Sequence, residues 1–382
     1  MKYYLLFVAI VLSLSTGCMW TGQSPDQSAL QPRATPTPIS RPPEKIDSEL
    51  ERLLAEIAKP ADGKVGVGAL MLETGDAAYL NRKEHFAMQS VYKLPIAMAA
   101  AQLVDRKTVD FDSDISITPE DYVRRGFHSP IRNLNPRGTV MRLDDIVRYS
   151  LSESDGSAND VLLRLAGGPQ NVQQYLSSIG VTDVMIADST KDISRDWDTQ
   201  YRNWATPEAS VDLLRDLIER RAGLSERTTT LIFDSMLEAE TGRHRIHKGL
   251  PPGAMLAHKT GTGGHPSEVP GYWKTVAAAN ANASPASKNI AKSAKPAPAK
   301  RTKSSSSVGD DSEDAEPKAN EVISAVNDIG IITLPDGRHI ILAVYINDSL
   351  SVNPDKVIAD ISRAVCERWT TGQLLEVPQT RY

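Results

Sequence analysis

The chain has 382 residues, 40% of them hydrophobic, so it is long enough to bury the core of one large domain. Its formal net charge of −5 argues against a general nucleic-acid-binding protein. Only two cysteines occur, Cys18 and Cys366. With Cys18 used for N-terminal lipidation, Cys366 has no partner for an internal disulfide, and we predict a buried thiol on a C-terminal helix.

The N-terminal residues, MKYYLLFVAIVLSLSTGC, have a lysine near the start, then an apolar run, then small residues before Cys18. This pattern is typical of a secretory signal, and the run is too short to span a bilayer as a mature helix. The ending STGC resembles the lipobox of bacterial lipoproteins, in which the cysteine is acylated. We expect residues 1–17 to be removed and lipidated Cys18 to anchor the protein in the periplasm, at the outer membrane. Ordinary cleavage near Gly17 is the alternative.

Two segments lack the composition of a folded domain. Residues 19–45 are rich in Ser, Gln, Pro and Thr, which predicts an extended tether. Residues 269–321 are mainly Ala, Ser, Lys and Pro, with a basic block followed by an acidic block. We predict a disordered insertion in a surface hairpin; binding of its basic block to anionic envelope polymers is the alternative. The remainder, 46–268 with 322–382, predicts one domain.

The predicted elements of this domain begin with a helix over 47–58 and a hairpin of two strands, VGVGALML and AAYLN. Residues 90–246 have a mostly helical pattern. Strands follow in AMLAHKTGTG and on both sides of the PDG turn in DIGIITLPDGRHIILAVYIND, and a helix over 355–369 closes the chain. We predict an α/β (α+β) fold whose first and last strands share one sheet.

Ser90 and Lys93, in MQSVYKLPIA, lie three residues apart where an apolar, helix-forming run begins. A helix places both side chains on one face, and the N–H groups at its start stabilise developing negative charge. A lysine acts as a base only as a neutral amine, which burial and a second cation favour. This SxxK pattern is common by chance, and a capping serine with a surface lysine is the simpler interpretation of it alone.

Two later motifs favour the catalytic interpretation of Ser90 over the capping one. The segment SESDG contains Ser154, a second hydroxyl able to relay a proton, and AHKTGTG contains Lys259, able to supply the second cation. Strand alternation puts Thr260 and Thr262 on one face, and Gly261 lets a substrate backbone approach the strand. Each motif is weak alone. In the order SxxK, SD[NG], K[TS]G they are the signature of serine β-lactamases and penicillin-binding proteins.

The chain resembles class A serine β-lactamases over nearly its whole mature length, through MQSVYKLPIA, SESDG, AHKTGTG and NDIGIITLPDGRHIILAVYINDS. Asp160 and the segment TGRHR resemble the extended-spectrum subgroup. The resemblance implies the serine β-lactamase or penicillin-binding-protein-like fold, with an antiparallel sheet of N- and C-terminal segments packed against a mostly helical region. It also implies a monomer that acts on a small-molecule β-lactam without a cofactor.

The resemblance gives the motif residues catalytic roles. Ser90 is the nucleophile that the β-lactam acylates, and Lys93 accepts its proton. Ser154 passes a proton to the β-lactam nitrogen, and Lys259 sets the electrostatics of the site. The backbone N–H groups of Ser90 and Thr262 form the oxyanion hole, which stabilises the transition state.

The resemblance also gives a binding role to Thr260, Thr262 and Arg245, which contact the substrate carboxylate. For Arg245 the alternative is a solvent-exposed arginine with no such role. Asp155 is expected to be a buried structural carboxylate that bonds to the backbone.

Some residues depart from the family's pattern. The family releases its acyl group with a water oriented by a glutamate on the loop between the second and third motifs. Counting back from YRNW, that position falls on Thr190, and the loop IADSTKDISRDWDTQYRNW contains no glutamate. Asp188 and Asp192 are candidates for a displaced base; ordinary loop carboxylates are the alternative. The family's water-holding asparagine falls on Ser194, and Gly156 replaces an asparagine that bonds the substrate's side-chain amide.

The sequence therefore predicts a serine β-lactamase that forms an acyl-enzyme at Ser90 and hydrolyses it, with a second step that can be slow. A penicillin-binding or DD-peptidase-like protein is one alternative, and a non-hydrolysing β-lactam-binding or sensor module is another. His244 and His247 have no third ligand at metal spacing, so we predict no metal site. Membrane contact is expected only through the lipid anchor.

Overall fold

The fold is built around one central sheet in a computed structural model that describes residues 43–266 and 321–374. The predicted signal peptide, Cys18, and most of the tether and of the insertion lie outside these ranges. The described residues all belong to one unit of the chain, Arg41–Tyr382. Within them, no helix combines the length and the apolar character that crossing a membrane requires.

The strands are short in the helical region and long at the two ends of the domain. In chain order they are β1 (Lys45–Ile46), β2 (Lys64–Met71), β3 (Asp76–Leu80), β4 (Phe86–Ala87), β5 (Asp114–Ile117), β6 (Thr139–Arg142), β7 (Val184–Met185), β8 (Trp204–Ala205), β9 (Met255–Thr262), β10 (Ile323–Thr333) and β11 (His339–Ser349).

The α-helices mostly fall between β4 and β9. They are α1 (Ser48–Ala58), α2 (Lys93–Asp105), α3 (Pro130–Leu134), α4 (Leu143–Leu151), α5 (Gly156–Leu165), α6 (Pro169–Ser178), α7 (Thr190–Ile193), α8 (Pro207–Ile218), α9 (Glu226–Leu237) and α10 (Pro354–Thr371). Single 3-10 turns cover Lys59–Ala61, Gln89–Tyr92, Pro119–Asp121, Asp198–Tyr201 and Ile246–Gly249.

The central sheet has the strand order β1-β3-β2-β11-β10-β9. Its neighbours pair antiparallel, except that β1 pairs parallel with β3. The predicted sheet of N- and C-terminal segments is thus confirmed, with β1 as a short addition. Two small sheets, β4-β8-β7 and β5-β6, lie in the helical region. Because β9 is the last strand of the central sheet, its outer edge has no strand partner. The 3-10 turn Gln89–Tyr92, which contains Ser90, packs against β9.

Alternate side chains of β11 pack on opposite faces of the central sheet, as the two-residue period of a strand requires. One face packs on α1 and α10, and the other packs on the helical region that includes α2 and α8. The first face carries Ile340, Leu342, Val344 and Ile346; the second carries Ile341, Ala343 and Tyr345. Cys366 lies in the first layer, where burial raises the pKa of its thiol to about 12, so the predicted buried thiol is confirmed.

The domain starts slightly earlier than the composition of the tether predicted. Lys45 N donates to Gly75 O at 2.8 Å, and the Glu44 carboxylate accepts from Tyr79 and Arg82, both at 2.9 Å. These partners lie in or beside β3, about thirty residues later in the chain, so local composition carried no signal of them. The last residues of the predicted tether therefore belong to the fold.

Candidate active site

Ser90 lies in the 3-10 turn that leads directly into α2, a helix buried from Lys93 to Ala101. The residue before it, Gln89, has a left-handed backbone with φ of 47°. Such a conformation is costly for a residue with a side chain and persists only where its surroundings hold it. Gln89 Nε2 donates to Gln200 Oε1 at 2.7 Å, so the nucleophile's turn is tied to the loop that carries Thr190.

Two buried asparagines hold the chain that enters this turn. Asn327 Nδ2 donates to the carbonyl oxygens of Ala87 and Met88 at 2.8 and 3.1 Å, and Asn347 Oδ1 accepts from Ala87 N at 2.7 Å. The sequence analysis missed both residues. Their signal is an amide side chain on a predicted buried strand, because such a residue must find a partner when buried.

Ser154 lies between the two motif lysines. Its Oγ accepts from Lys93 Nζ at 3.1 Å and from Lys259 Nζ at 3.0 Å, and Lys93 Nζ also donates to the Ser154 carbonyl oxygen. The lysines are only 3% and 0% exposed. Ser154 itself has a left-handed backbone, with φ of 57°. The fold thus brings together three of the four residues predicted to be catalytic, and one of them, Lys93, follows Ser90 by three residues.

Asp155 fixes the segment that presents Ser154. Its carboxylate caps α5 by accepting from Ala158 N at 2.9 Å, and it also accepts from Ile131 N at 2.8 Å and from Ser129 Oγ at 3.0 Å. The residue is fully buried. These contacts match the structural role that was expected for it.

Thr262 lies on β9, at the edge of the sheet. Gly263 N donates inward to Ala325 O at 2.7 Å, and amide directions alternate along a strand. The Thr262 N–H therefore points to the unpaired edge, as an oxyanion-hole donor requires. A Cβ atom on Gly261 would collide with the Met88 carbonyl oxygen. Glycine is needed there so that the nucleophile's turn can pack on β9, a different reason from the predicted approach of a substrate.

Arg245 is buried, at 4% exposure, so the solvent-exposed alternative is wrong. Its Nε donates to Asp355 Oδ1 at 2.6 Å, and its Nη2 donates to Thr262 Oγ1 at 2.7 Å. The neighbouring Thr260 Oγ1 lies 2.6 Å from Thr241 Oγ1. The guanidinium and the hydroxyl of Thr262 thus form one polar group at the end of β9, suited to bind a carboxylate.

Thr190 begins α7 and is 6% exposed. Its Oγ1 lies 2.9 Å from Tyr92 OH and 3.2 Å from Asn159 Nδ2. Its methyl carbon lies 3.0 Å from the position that a Cβ on Gly156 would occupy. Gly156 and Thr190, two of the residues that depart from the family's pattern, are therefore in direct contact. Any larger residue at position 156 would press on Thr190.

The two loop aspartates are engaged in the loop itself. Asp192 accepts from Ser189 Oγ at 2.7 Å and pairs with Arg195 at 3.0 Å. Burial raises the pKa of Asp192, but the hydrogen bonds from Ser189 outweigh burial and hold it below its usual value. Asp188 pairs with Arg202 at 3.2 Å, and burial raises its pKa. Such contacts are typical of ordinary loop carboxylates, the alternative to a displaced base.

Ser194 donates from its Oγ to Lys191 O at 2.6 Å, so its hydroxyl closes α7. Asn203, which the sequence analysis did not single out, joins the two ends of the loop between β7 and β8. Asn203 Oδ1 accepts from Ala187 N at 2.7 Å and from Asp188 N at 3.0 Å. In the part of the chain that the structure describes, no three His, Cys, Asp or Glu side chains are grouped so that they could hold a metal ion.

Comparisons with known proteins agree with this geometry. Residues 48–271 match the family described as the β-lactamase enzyme family. The chain is 30% identical over 313 residues to β-lactamase VEB-1 of Pseudomonas aeruginosa, covering 81% of this chain and 87% of that one. It is 26% identical to extended-spectrum β-lactamase PER-1 of the same species, covering 78% and 80%.

Among solved structures, a β-lactamase from Chitinophaga pinensis superposes with a TM-score of 0.67 at 30% identity, covering 84% of this chain and all of that one. The expected fold and the resemblance to class A enzymes are confirmed. The chain belongs to the β-lactamase enzyme family.

Proposed function

We propose that the protein is a serine β-lactamase, which opens the β-lactam ring through an acyl-enzyme at Ser90 and then hydrolyses it. The observation that carries this proposal is the convergence of Lys93 and Lys259 on Ser154 Oγ, beside the turn that presents Ser90. The proton acceptor Lys93 and the proton relay Ser154 thus form one hydrogen-bonded group, and Lys93 follows the nucleophile Ser90 by three residues, as acyl transfer requires.

In the acylation step, Ser90 Oγ attacks the β-lactam carbonyl carbon while its proton passes to the neutral amine of Lys93. The carbonyl oxygen becomes an oxyanion, stabilised by the N–H groups of Ser90 and Thr262. The C–N bond of the ring then breaks, and Ser154, which is hydrogen-bonded to Lys93, donates the proton that the leaving nitrogen needs. Thr260, Thr262 and Arg245 bind the substrate carboxylate.

Release of the acyl group is the slower half of the proposed reaction. A threonine hydroxyl orients a water molecule but does not take its proton near neutral pH. Thr190 therefore supplies less to hydrolysis than a carboxylate would. We expect a burst of acylation followed by slower turnover.

The proposal is tested by following benzylpenicillin absorbance with the wild-type protein, with Ser90→Ala and with Ser48→Ala. Ser48 is an exposed serine at the start of α1 and serves as the matched control. Loss of absorbance with wild type and Ser48→Ala, and none with Ser90→Ala, supports the proposal. Equal hydrolysis by Ser90→Ala would contradict it.

The proposal includes a monomer held at the periplasmic face of the outer membrane by a lipid on Cys18. Its support is the STGC ending of the leader, which lies outside the described residues. Expression of the full-length chain and of Cys18→Ala, followed by fractionation, tests the anchor. We expect Cys18→Ala to move from the membrane to the soluble fraction; wild type in the soluble fraction would contradict the anchor.

A further inference from the structure

The Arg245 guanidinium is held so that one of its N–H groups remains for a substrate. An arginine side chain has five N–H donors. Its Nε donates to Asp355 Oδ1 at 2.6 Å, and its Nη2 donates to Thr262 Oγ1 at 2.7 Å. Its Nη1 donates to Asn327 O at 3.0 Å and to Gly261 O at 3.4 Å. Four donors thus have partners in the part of the chain that the structure describes, and the fifth, on Nη2, lies beside the Thr262 hydroxyl.

The turn that contains Arg245 packs on strand β9. Arg245 N donates to Gly242 O at 2.9 Å, and Gly242 has a left-handed backbone with φ of 74°. A Cβ atom on Gly242 would collide with Thr260 Cγ2 and would lie 3.5 Å from His258 Cε1. Glycine therefore lets the turn lie directly on the face of β9 that carries Thr260 and His258.

A buried carboxylate, Asp328 of β10, joins this turn to β9. Its Oδ2 accepts from Ile246 N at 3.1 Å, and its Oδ1 lies 2.8 Å from His258 Nδ1. Asp328 is 0% exposed and His258 is 4% exposed. Because a carboxylate can only accept, the hydrogen of the second bond belongs to His258 Nδ1. One side chain thus binds both the residue after Arg245 and the residue before Lys259.

The surroundings of Asp328 and His258 are apolar. Leu256 and Val326, two residues before the pair on the same strands, belong to the apolar layer that packs on α1 and α10, and so does Ile246. A carboxylate buried in such a layer loses its hydration, and its hydrogen bonds offset that loss without adding much stability. What the pair does add is a fixed position for the turn, because both ends of the carboxylate are bonded.

We propose that Asp328 and His258 are positioning residues for substrate binding, which hold the turn of Arg245 so that its remaining N–H meets the substrate carboxylate beside Thr262. This inference rests on the proposed function, since the carboxylate is that of the β-lactam. The pair does not touch the substrate and acts through Arg245. Its loss should therefore weaken binding of a substrate that has a carboxylate and leave the chemistry at Ser90 nearly unchanged.

The test follows formation of the acyl-enzyme by acid-quenched mass spectrometry over a range of benzylpenicillin concentrations. Each variant then has a half-saturating concentration and a limiting acylation rate. For Asp328→Ala we expect the half-saturating concentration to rise about tenfold, as for loss of a hydrogen bond to a charged group, with the limiting rate within about threefold of wild type. With benzylpenicillin methyl ester, which has no carboxylate, this variant should differ from wild type by less than about twofold.

Two substitutions of His258 separate the hydrogen bond from the packing of the ring. His258→Phe keeps a ring but removes the donor, and should raise the half-saturating concentration about tenfold. His258→Asn returns an amide N–H near the place of Nδ1 and should restore most of the affinity. Tyr345→Phe is the matched control, because it removes a buried hydrogen bond, to Ser210, on the opposite face of the same sheet. It should leave the half-saturating concentration unchanged.

The route through Arg245 is tested by combining two substitutions. In an Arg245→Ala background, Asp328→Ala should raise the half-saturating concentration by less than about twofold, because both changes remove the same interaction with the substrate. A further tenfold rise would show that Asp328 acts independently of Arg245 and would overturn the proposal.

Other outcomes would also overturn it. They are a half-saturating concentration for Asp328→Ala within about twofold of wild type, or an equal rise with the methyl ester. If Asp328→Ala does not fold, equal values for His258→Phe, His258→Asn and wild type overturn the proposal in its place. All these results require an adduct on the wild-type protein. Absence of that adduct would refute the acyl-enzyme at Ser90 and, with it, this inference.

Discussion

At the scale of single residues, the site is defined by a contact between two unusual positions. Gly156 has no side chain, and the methyl group of Thr190 occupies the space in front of it, 3.0 Å from the Cβ position. The absence of a side chain at Gly156 therefore makes room for the methyl group of Thr190. The loop is packed around threonine, with its hydroxyl bonded to Tyr92 and Asn159 and its backbone to Asp160.

Position 190 is the one that the count back from YRNW assigns to the family's glutamate. In Thr190→Glu a carboxylate at this position can take a proton from water directly. We expect deacylation at least about tenfold faster, measured by single-turnover mass spectrometry. Thr190→Gln, of equal size but without a base, should not show the gain. An unchanged or slower rate in Thr190→Glu would count against the assignment of position 190.

At the scale of elements, the buried side chain of Asn203 joins the two ends of the active-site loop between β7 and β8. Asn203 accepts from Ala187 N and Asp188 N and donates to Asp188 O at 2.9 Å. The loop is also tied to the nucleophile's turn by Gln89 and Gln200. Closure of the loop and the position of Ser90 are therefore mechanically connected.

Asn203→Ala should lower the local stability of the loop more than that of the central sheet. Removal of the amide takes away the partners of the partly buried Ala187 N–H and of the buried Asp188 N–H and carbonyl groups, at a cost of about 1–3 kcal/mol. Hydrogen exchange should rise in α7 more than in β10 or β11, because the loop loses its local closure. The control is Thr199→Ala, since Thr199 is bonded to Asp196 within the same exposed turn. Equal exchange in α7 of Asn203→Ala and wild type would refute this role.

The sequence predicted the helices and strands more fully than the hydrogen bonds between them. Periodicity and capping signals were sufficient for α1, the hairpin β2–β3 and α10, because these are local patterns. Ordered motifs indicated Ser90, Ser154 and Lys259. By contrast, the roles of Asn327, Asn347 and Asn203 were missed. Their partners lie on other elements, so only the folded chain reveals them. The burial of Arg245 was likewise invisible, since its partner Asp355 is 110 residues away.

At the scale of the whole molecule, the first and last helices pack together on one face of the sheet. Asp47 caps α1 by accepting from Leu50 N at 3.0 Å, and it also accepts from Arg368 Nε of α10 at 2.7 Å. Burial raises the pKa of Asp47, but the hydrogen bond and charge of Arg368 and the Leu50 N–H outweigh it and hold the pKa below its usual value. Arg368 also pairs with Glu49 at 3.2 Å, so two ion pairs link the two ends of the domain.

Asp47→Asn keeps a good helix cap but loses the charge. A carboxyl group whose pKa is lowered by folding stabilises the protein above its unfolded pKa and loses that effect as pH falls through its folded pKa. At neutral pH we expect Asp47→Asn to be less stable by about 0.5–1 kcal/mol in denaturant unfolding, with the difference vanishing at acid pH. Glu49→Gln, an exposed neighbour of Arg368, should show a smaller effect. A difference that grows at acid pH would contradict the ion pair.

The most direct test of the whole account is the mass of the protein during reaction with benzylpenicillin, followed by peptide mapping of the adduct. The account predicts a transient increase by the mass of one penicillin, located on Ser90 and followed by return to the original mass. Ser90→Ala should show no increase. An adduct on another residue, the same adduct on Ser90→Ala, or no adduct at all would contradict it.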